Sequence, residues 1–179
     1  MYRNMKLPET VDRALLYKVL CMVCVVCIVL YALAPKHKPG ASSFTQNYVL
    51  TFSDYEGHKI GLLSYRLKRL IVFSWATWSP YSEQEFRDLL ALKSKHGNEV
   101  QIVAINRGEP LAEAKAFTDK LHMGDAIVLL LDPEDAYYKS IGGYAMPETL
   151  FISPSGDATL HQRGPLGAAE IESGFVSIK

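Results

Sequence analysis

The sequence predicts an α/β domain, a central mixed sheet with helices on both faces, behind an N-terminal transmembrane helix. Three observations carry this reading. An apolar run of about 20 residues near the amino end has the length of a bilayer-spanning helix. Strand-like apolar runs then alternate with segments of helical period, the pattern of a parallel α/β core. Two final strand-like runs flank Pro154-Ser155-Gly156, a hairpin signal that adds antiparallel strands.

Composition narrows the function classes. The chain has 179 residues, 49% of them hydrophobic, enough for one domain and an appendage. Lys plus Arg and Asp plus Glu number 19 each, so the formal net charge is zero. That balance supplies no basic face for nucleic acid. The three cysteines, Cys21, Cys24 and Cys27, all lie in the apolar run. The downstream domain therefore has neither a disulfide framework nor a thiolate metal site. His58, His96, His122 and His161 are scattered, so no metal or cofactor is expected.

Four segments are expected: a cytoplasmic N-terminus at 1–13, a signal-anchor helix at 14–34, a linker at 35–46 and the domain at 47–179. Val19 to Ala34 is unbroken apolar sequence, and Lys18 can snorkel to the interface. Tyr17 and Tyr31 sit near its ends, where aromatic rings favour the headgroup region. Arg3, Lys6, Arg13 and Lys18 precede the core of the run, and only Lys36 and Lys38 follow closely. The positive-inside bias then keeps the amino end in the cytosol and places the domain on the periplasmic or extracellular side. Ala32-Leu33-Ala34 also fits a signal-peptide cleavage site, which would give a secreted form of the same domain; Pro35 directly after it disfavours cleavage. The cysteines read as small apolar residues in lipid.

Within the domain, Tyr48 to Phe52 reads as a short strand closed by the turn Asp54-Tyr55-Glu56-Gly57. Leu70 to Trp75 is continuous and apolar, as expected of a central strand buried on both faces. Ser79-Pro80 can open a helix, or Ser82 and Glu85 can form a capping box one turn later; Gly97 is its stop. A strand at Val100 to Ile105 follows, then a helix carrying Leu111, Ala114, Phe117 and Leu121. Another strand runs from Ile127 to Leu131, and Asp132-Pro133 leads into a short helix ending at Gly142-Gly143. The hairpin strands are Leu150 to Ile152 and Thr159 to Gln162, and Ala168 to Phe175 closes the chain as a helix.

The stretch Phe73-Ser74-Trp75-Ala76-Thr77-Trp78-Ser79-Pro80-Tyr81-Ser82-Glu83-Gln84-Glu85 resembles F-W-A-T-W-C-x-x-C-x-x-E, the motif of TlpA-type membrane-anchored thioredoxin-like (redoxin) oxidoreductases of cell redox homeostasis. Further matches follow in order. Asp54-x-x-Gly57 resembles the family's D-x-x-G turn, and Leu131-Asp132-Pro133 its L-D-P. Gly143-Tyr144-Ala145-Met146-Pro147-Glu148-Thr149 resembles G-V-x-x-x-P-T, and Ile152-Ser153-Pro154-Ser155-Gly156 resembles I-D-x-x-G. The resemblance spans about residues 47–175. It implies a thioredoxin-like fold, a cis bond before Pro147, and a peptide-binding groove beside that proline.

The resemblance departs at both motif cysteines, which are Ser79 and Ser82 here. Thiol–disulfide exchange needs a thiolate to attack and a second thiol to resolve the mixed disulfide. Serine forms neither, so Ser79, Pro80, Tyr81 and Ser82 are read as a degenerate site with no catalytic residue. Peroxiredoxin and copper-chaperone readings fall with the cysteines. Serine hydrolysis would need a base within reach, and the motif has no histidine near it. Glu85 is explained by favourable placement at a helix N-terminus. The expected role is a non-catalytic protein- or peptide-binding module, with Trp78, Pro80, Tyr81, Tyr144, Met146 and Pro147 as contacts. The alternative is an enzyme using the same cleft without thiol chemistry.

Overall fold

The computed structural model describes residues 17–18, 22–24 and 50–179. The chain divides into two units, residues 1–39 and 40–179. In the first, residues 17–18 and 22–24 are helical. Among the described residues no helix is long and apolar enough to cross a membrane. The expected cytoplasmic segment and linker, and most of the expected spanning helix at 14–34, lie outside the described residues.

The second unit is built on a seven-stranded mixed sheet. Its strands are β1 (Thr51–Asp54), β2 (Lys59–Gly61), β3 (Arg69–Trp75), β4 (Val100–Arg107), β5 (Val128–Asp132), β6 (Glu148–Ile152) and β7 (Ala158–Arg163). Their spatial order is β2-β1-β5-β4-β3-β6-β7. β3, β4 and β5 run parallel, while β6 and β1 run antiparallel to β3 and β5. The helices are α1 (Ser82–His96), α2 (Leu111–Asp119), α3 (Ala136–Ser140) and α4 (Ala168–Ser177).

Strand alternation sorts the core into two layers. Ile71, Phe73 and Trp75 of β3 face Phe86 and Leu89 of α1, Ala114 of α2 and Ile171 and Phe175 of α4. Leu70 and Val72 face the other way, toward Phe52, Leu62, Val103, Ile105, Tyr137 and Ile141. Two consecutive crossovers that step the same way across a parallel sheet put α1 and α2 on one face, given right-handed connections. The chain then returns past β3, which places α3 on the opposite face. Helices on both faces bury β3 completely beyond its first residue, as its unbroken apolar sequence predicts.

The expected elements are present with local corrections. The first strand runs Thr51–Asp54 rather than from Tyr48, whose placement lies outside the described residues. β2 was not anticipated: Lys59–Gly61 is too short for a visible alternation and is defined by its pairing with β1. α2 stops at Asp119, before Leu121, which packs into the core from the following turn. Neither expected serine cap forms at α1. Ser82 begins the helix and donates its hydroxyl to the Ala76 carbonyl, and Ser79 lies three residues earlier.

Candidate functional site

β3 ends at Trp75, and residues 76–81 form the loop into α1 at the C-terminal end of the parallel strands. Main-chain and side-chain bonds stitch this loop tightly. The Ala76 carbonyl accepts from the Ser79 amide at 3.2 Å and the Ser82 hydroxyl at 2.9 Å. The Glu109 carboxylate receives the Thr77 amide, the Thr77 hydroxyl and the Asn106 side-chain amide, the last at 2.6 Å. A carboxylate taking three donors fixes the loop without help from solvent.

The facing loop connects α3 to β6. The Met146–Pro147 bond is cis, as the resemblance implied. The Ser79 hydroxyl lies 3.5 Å from the Met146 carbonyl oxygen, so the two loops meet there. Among the described residues the Met146 amide donates to nothing. The rest of the loop is anchored from beneath. Glu148 is wholly buried; one carboxylate oxygen accepts the Tyr144 and Ala145 amides at 2.7 and 2.8 Å, and the other faces His161 Nε2 at 2.7 Å. Burial lowers the His161 pKa, outweighing the hydrogen bond and attraction of Glu148. Tyr138 donates its hydroxyl to the Ala145 carbonyl at 2.7 Å, and its ring carries the Arg107 guanidinium at 3.8 Å. Asp135 holds that guanidinium through Nε at 2.8 Å.

The candidate residues divide by exposure. Trp78, Tyr81 and Tyr144 are 62%, 52% and 78% exposed, and Pro80 is exposed as well. Trp75 is fully buried, as expected for core. Met146 is half-buried and Pro147 buried, so Pro147 shapes the loop more than it offers contact area. Ser79 and Ser82 are both buried. Among the described residues, neither serine hydroxyl bonds to a histidine or an acid, so the arrangement contains no activated serine.

Glu85 requires correction. It does lie in the first turn of α1, but it is 1% exposed, so its place at the helix end does not by itself explain it. It accepts the Thr149 hydroxyl at 2.5 Å and the Leu166 amide at 3.1 Å, tying α1 to β6 and to the chain before α4. Burial raises its pKa to about 7, against the opposing pull of those two hydrogen bonds. The sequence reading also missed Glu109 and Glu148. Glu109 carries no local signal, because its donors lie on β4 and in the loop after β3. Glu148 had one: a lone charge opening an otherwise apolar strand must find partners. Its partner His161 sits within β7, inside the strand expected there. The grouping of Asp54, Glu56 and His58 was missed too, though both Asp54 oxygens serve the turn itself through the Glu56 amide, the His58 amide and the His58 ring.

Comparison with known proteins fits this geometry. The chain is 29% identical over 140 residues to the thiol-disulfide oxidoreductase ResA of Geobacillus kaustophilus, covering 76% of this chain and 77% of that protein. It is 30% identical over 99 residues to the thiol:disulfide interchange protein DsbE of Allochromatium vinosum, covering 55% and 52%. Among solved structures, a secreted Mycobacterium tuberculosis disulfide oxidoreductase matches with a TM-score of 0.66 at 14% identity, over 74% of this chain and 98% of that one. A thiol:disulfide interchange protein DsbE from Chlorobium tepidum gives 0.63 at 18%, over 72% and 91%. These structures share the thioredoxin-like fold. The Redoxin family model matches residues 40–170, most of the chain, and the chain therefore belongs to the redoxin family.

Proposed function

We propose that this redoxin is a non-catalytic module that binds an extended protein or peptide segment at its cis-proline face. The observation that carries the reading is the state of the two loops. Ser79 and Ser82 stand where the TlpA-type motif has cysteines, and both hydroxyls are buried against main-chain carbonyls. Residues 28–179 contain no sulfur nucleophile, since methionine cannot exchange disulfides. The exposed groups beside Pro147 support the binding part of the reading. The Met146 amide is unpaired among the described residues, its carbonyl has only the long Ser79 contact, and Trp78, Tyr81 and Tyr144 are exposed. An extended segment can pair with one residue's N–H and C=O as an added strand, while aromatic rings hold its side chains.

The apolar run at 14–34 supplies the rest of the proposal: a single-pass anchor with the amino end cytoplasmic and the domain extracytoplasmic. Crosslinking from a photoreactive group at Tyr81 in intact cells tests the binding role. A defined partner whose capture disappears with Trp78→Ala and Tyr144→Ala is expected. A partner set unchanged by those substitutions would remove the cis-proline face from the function.

A further inference from the structure

We infer that the loop Arg66-Leu67-Lys68, at the end of the domain opposite the candidate site, docks on an anionic phospholipid surface. Leu67 is 83% exposed. Its φ of 67° lies in the left-handed region, which is costly for a residue with a Cβ. Elsewhere the chain gives such positions to glycine, as at Gly57, Gly97, Gly142, Gly156 and Gly164. The other described exceptions, His122 and Asp135, are polar, and Asp135 is held by Arg107. A large apolar residue thus occupies a turn where glycine would fit with less strain and less exposed apolar surface. Strain of this kind persists where surrounding structure imposes it. Here the Leu67 amide donates to the Pro154 carbonyl at 3.3 Å, and the Arg66 amide to the Leu63 carbonyl at 3.2 Å.

The loop's charge selects the surface. Arg66 and Lys68 are exposed, and among the described residues neither side chain forms an ion pair or hydrogen bond. Arg69 follows, with its guanidinium 5.0 Å from the Phe175 ring centroid. Leu63 adds a second apolar side chain, 47% exposed. The acid of the adjoining hairpin, Asp157, already accepts the Ser155 hydroxyl. Unpaired cations flanking an exposed leucine match an anionic bilayer, where basic side chains meet headgroups and the apolar one enters the interface. A fluid bilayer also needs no preformed pocket for a convex tip. β3 begins at Arg69 and ends at Trp75, so the loop and the candidate site lie about 20 Å apart along the strand. Docking by this loop would turn the cis-proline face away from the lipid.

Residues 40–179 hold all seven strands and both core layers, so this piece carries its own core and tests the inference without the N-terminal segment. A failure of the proposed anchor or of peptide binding therefore reads separately. The probe is sedimentation with phosphatidylcholine vesicles, with and without phosphatidylglycerol. Binding to the anionic vesicles alone is expected, weakened by salt. Leu67→Gly should lower partition about tenfold without lowering the unfolding midpoint, because glycine relieves the backbone. Arg66→Ser and Lys68→Ser should each weaken it about fivefold. Equal binding to both lipid compositions, undiminished binding of Leu67→Gly, or a lowered midpoint in that variant would overturn the inference. Binding to polyglutamate with none to vesicles would overturn it in favour of an acidic protein partner.

Discussion

Thr149 donates its hydroxyl to Glu85 at 2.5 Å, inside the core and directly beneath the two loops of the candidate face. The contact joins the first turn of α1 to β6, the strand that follows the cis-proline loop. It makes the packing beneath the face depend on the protonation of a buried carboxyl.

The direction of that dependence follows from the raised pKa. An unfolded glutamate releases its proton near 4.5, whereas Glu85 retains it to about 7. Between those values the folded state binds the extra proton, so stability falls as pH rises through the window. The loss amounts to about 3 kcal/mol above it. Glu85→Gln keeps a polar group for Thr149 and Leu166 but cannot ionise. Urea denaturation at about pH 5 and about pH 8 should show a smaller pH-dependent decline in the variant than in the parent. An identical decline in both would mean that Glu85 is not the titrating group.

Glu148 supports the other loop. Glu148→Ala would strand the Tyr144 and Ala145 amides and the His161 ring, at a cost of about 2–4 kcal/mol. Glu148→Gln retains an oxygen for the two amides and should cost about 1 kcal/mol. Hydrogen exchange should quicken at Tyr144 and Ala145 in the alanine variant and stay near the parent rate in the glutamine one. Equal protection in all three proteins would show that the loop holds itself.

The contrast between these acids and the strands shows what the sequence made legible. Leu70 to Trp75 announced a central strand because burial on both faces demands an unbroken apolar run, and hairpin punctuation revealed β6 and β7. Trp75 was legible as core because it closes the run, whereas the place of Trp78 near the surface followed only from the family resemblance. Glu85, Glu109 and Glu148 were not readable in the same way. Beside nearer partners for Glu109 and Glu148, each has one 64, 32 or 13 residues away in sequence, at Thr149, Thr77 and His161. Only the folded topology brings those donors together, whereas periodicity reports which face a residue takes. β2 was lost for a related reason, since an edge strand of three residues exists through its neighbour.

The Tyr138 ring is a wall of the cis-proline loop. A Cβ on Gly143 would stand 2.4 Å from that ring, which is itself overlain by Arg107 and tied by its hydroxyl to Ala145. Retreat of the ring would break those contacts, so Gly143→Ala should cost about 1–3 kcal/mol. Tyr138→Phe keeps the wall and loses one hydrogen bond, costing about 1 kcal/mol. Denaturant midpoints rank the two. A neutral Gly143→Ala would mean that the loop moves freely and that its geometry is not imposed by Tyr138.

Restoring sulfur tests whether chemistry alone separates this domain from an exchange enzyme. Residues 40–179, purified, should fail to reduce insulin disulfides, because this stretch holds no cysteine. Ser79→Cys with Ser82→Cys changes little volume, though it weakens the Ser82 bond to Ala76. The first new thiol would precede a 15-residue helix, whose N-terminal field favours a thiolate. Glu85 in the first turn acts against it only where it is ionised, and it is largely protonated below about pH 7. The double variant should therefore form a 79–82 disulfide and reduce insulin. A folded double variant that never closes the disulfide would show that the loop, clamped by Glu109 on Thr77 and by Ala76, has left exchange geometry. Insulin reduction by the unmodified domain would overturn the non-catalytic assignment itself.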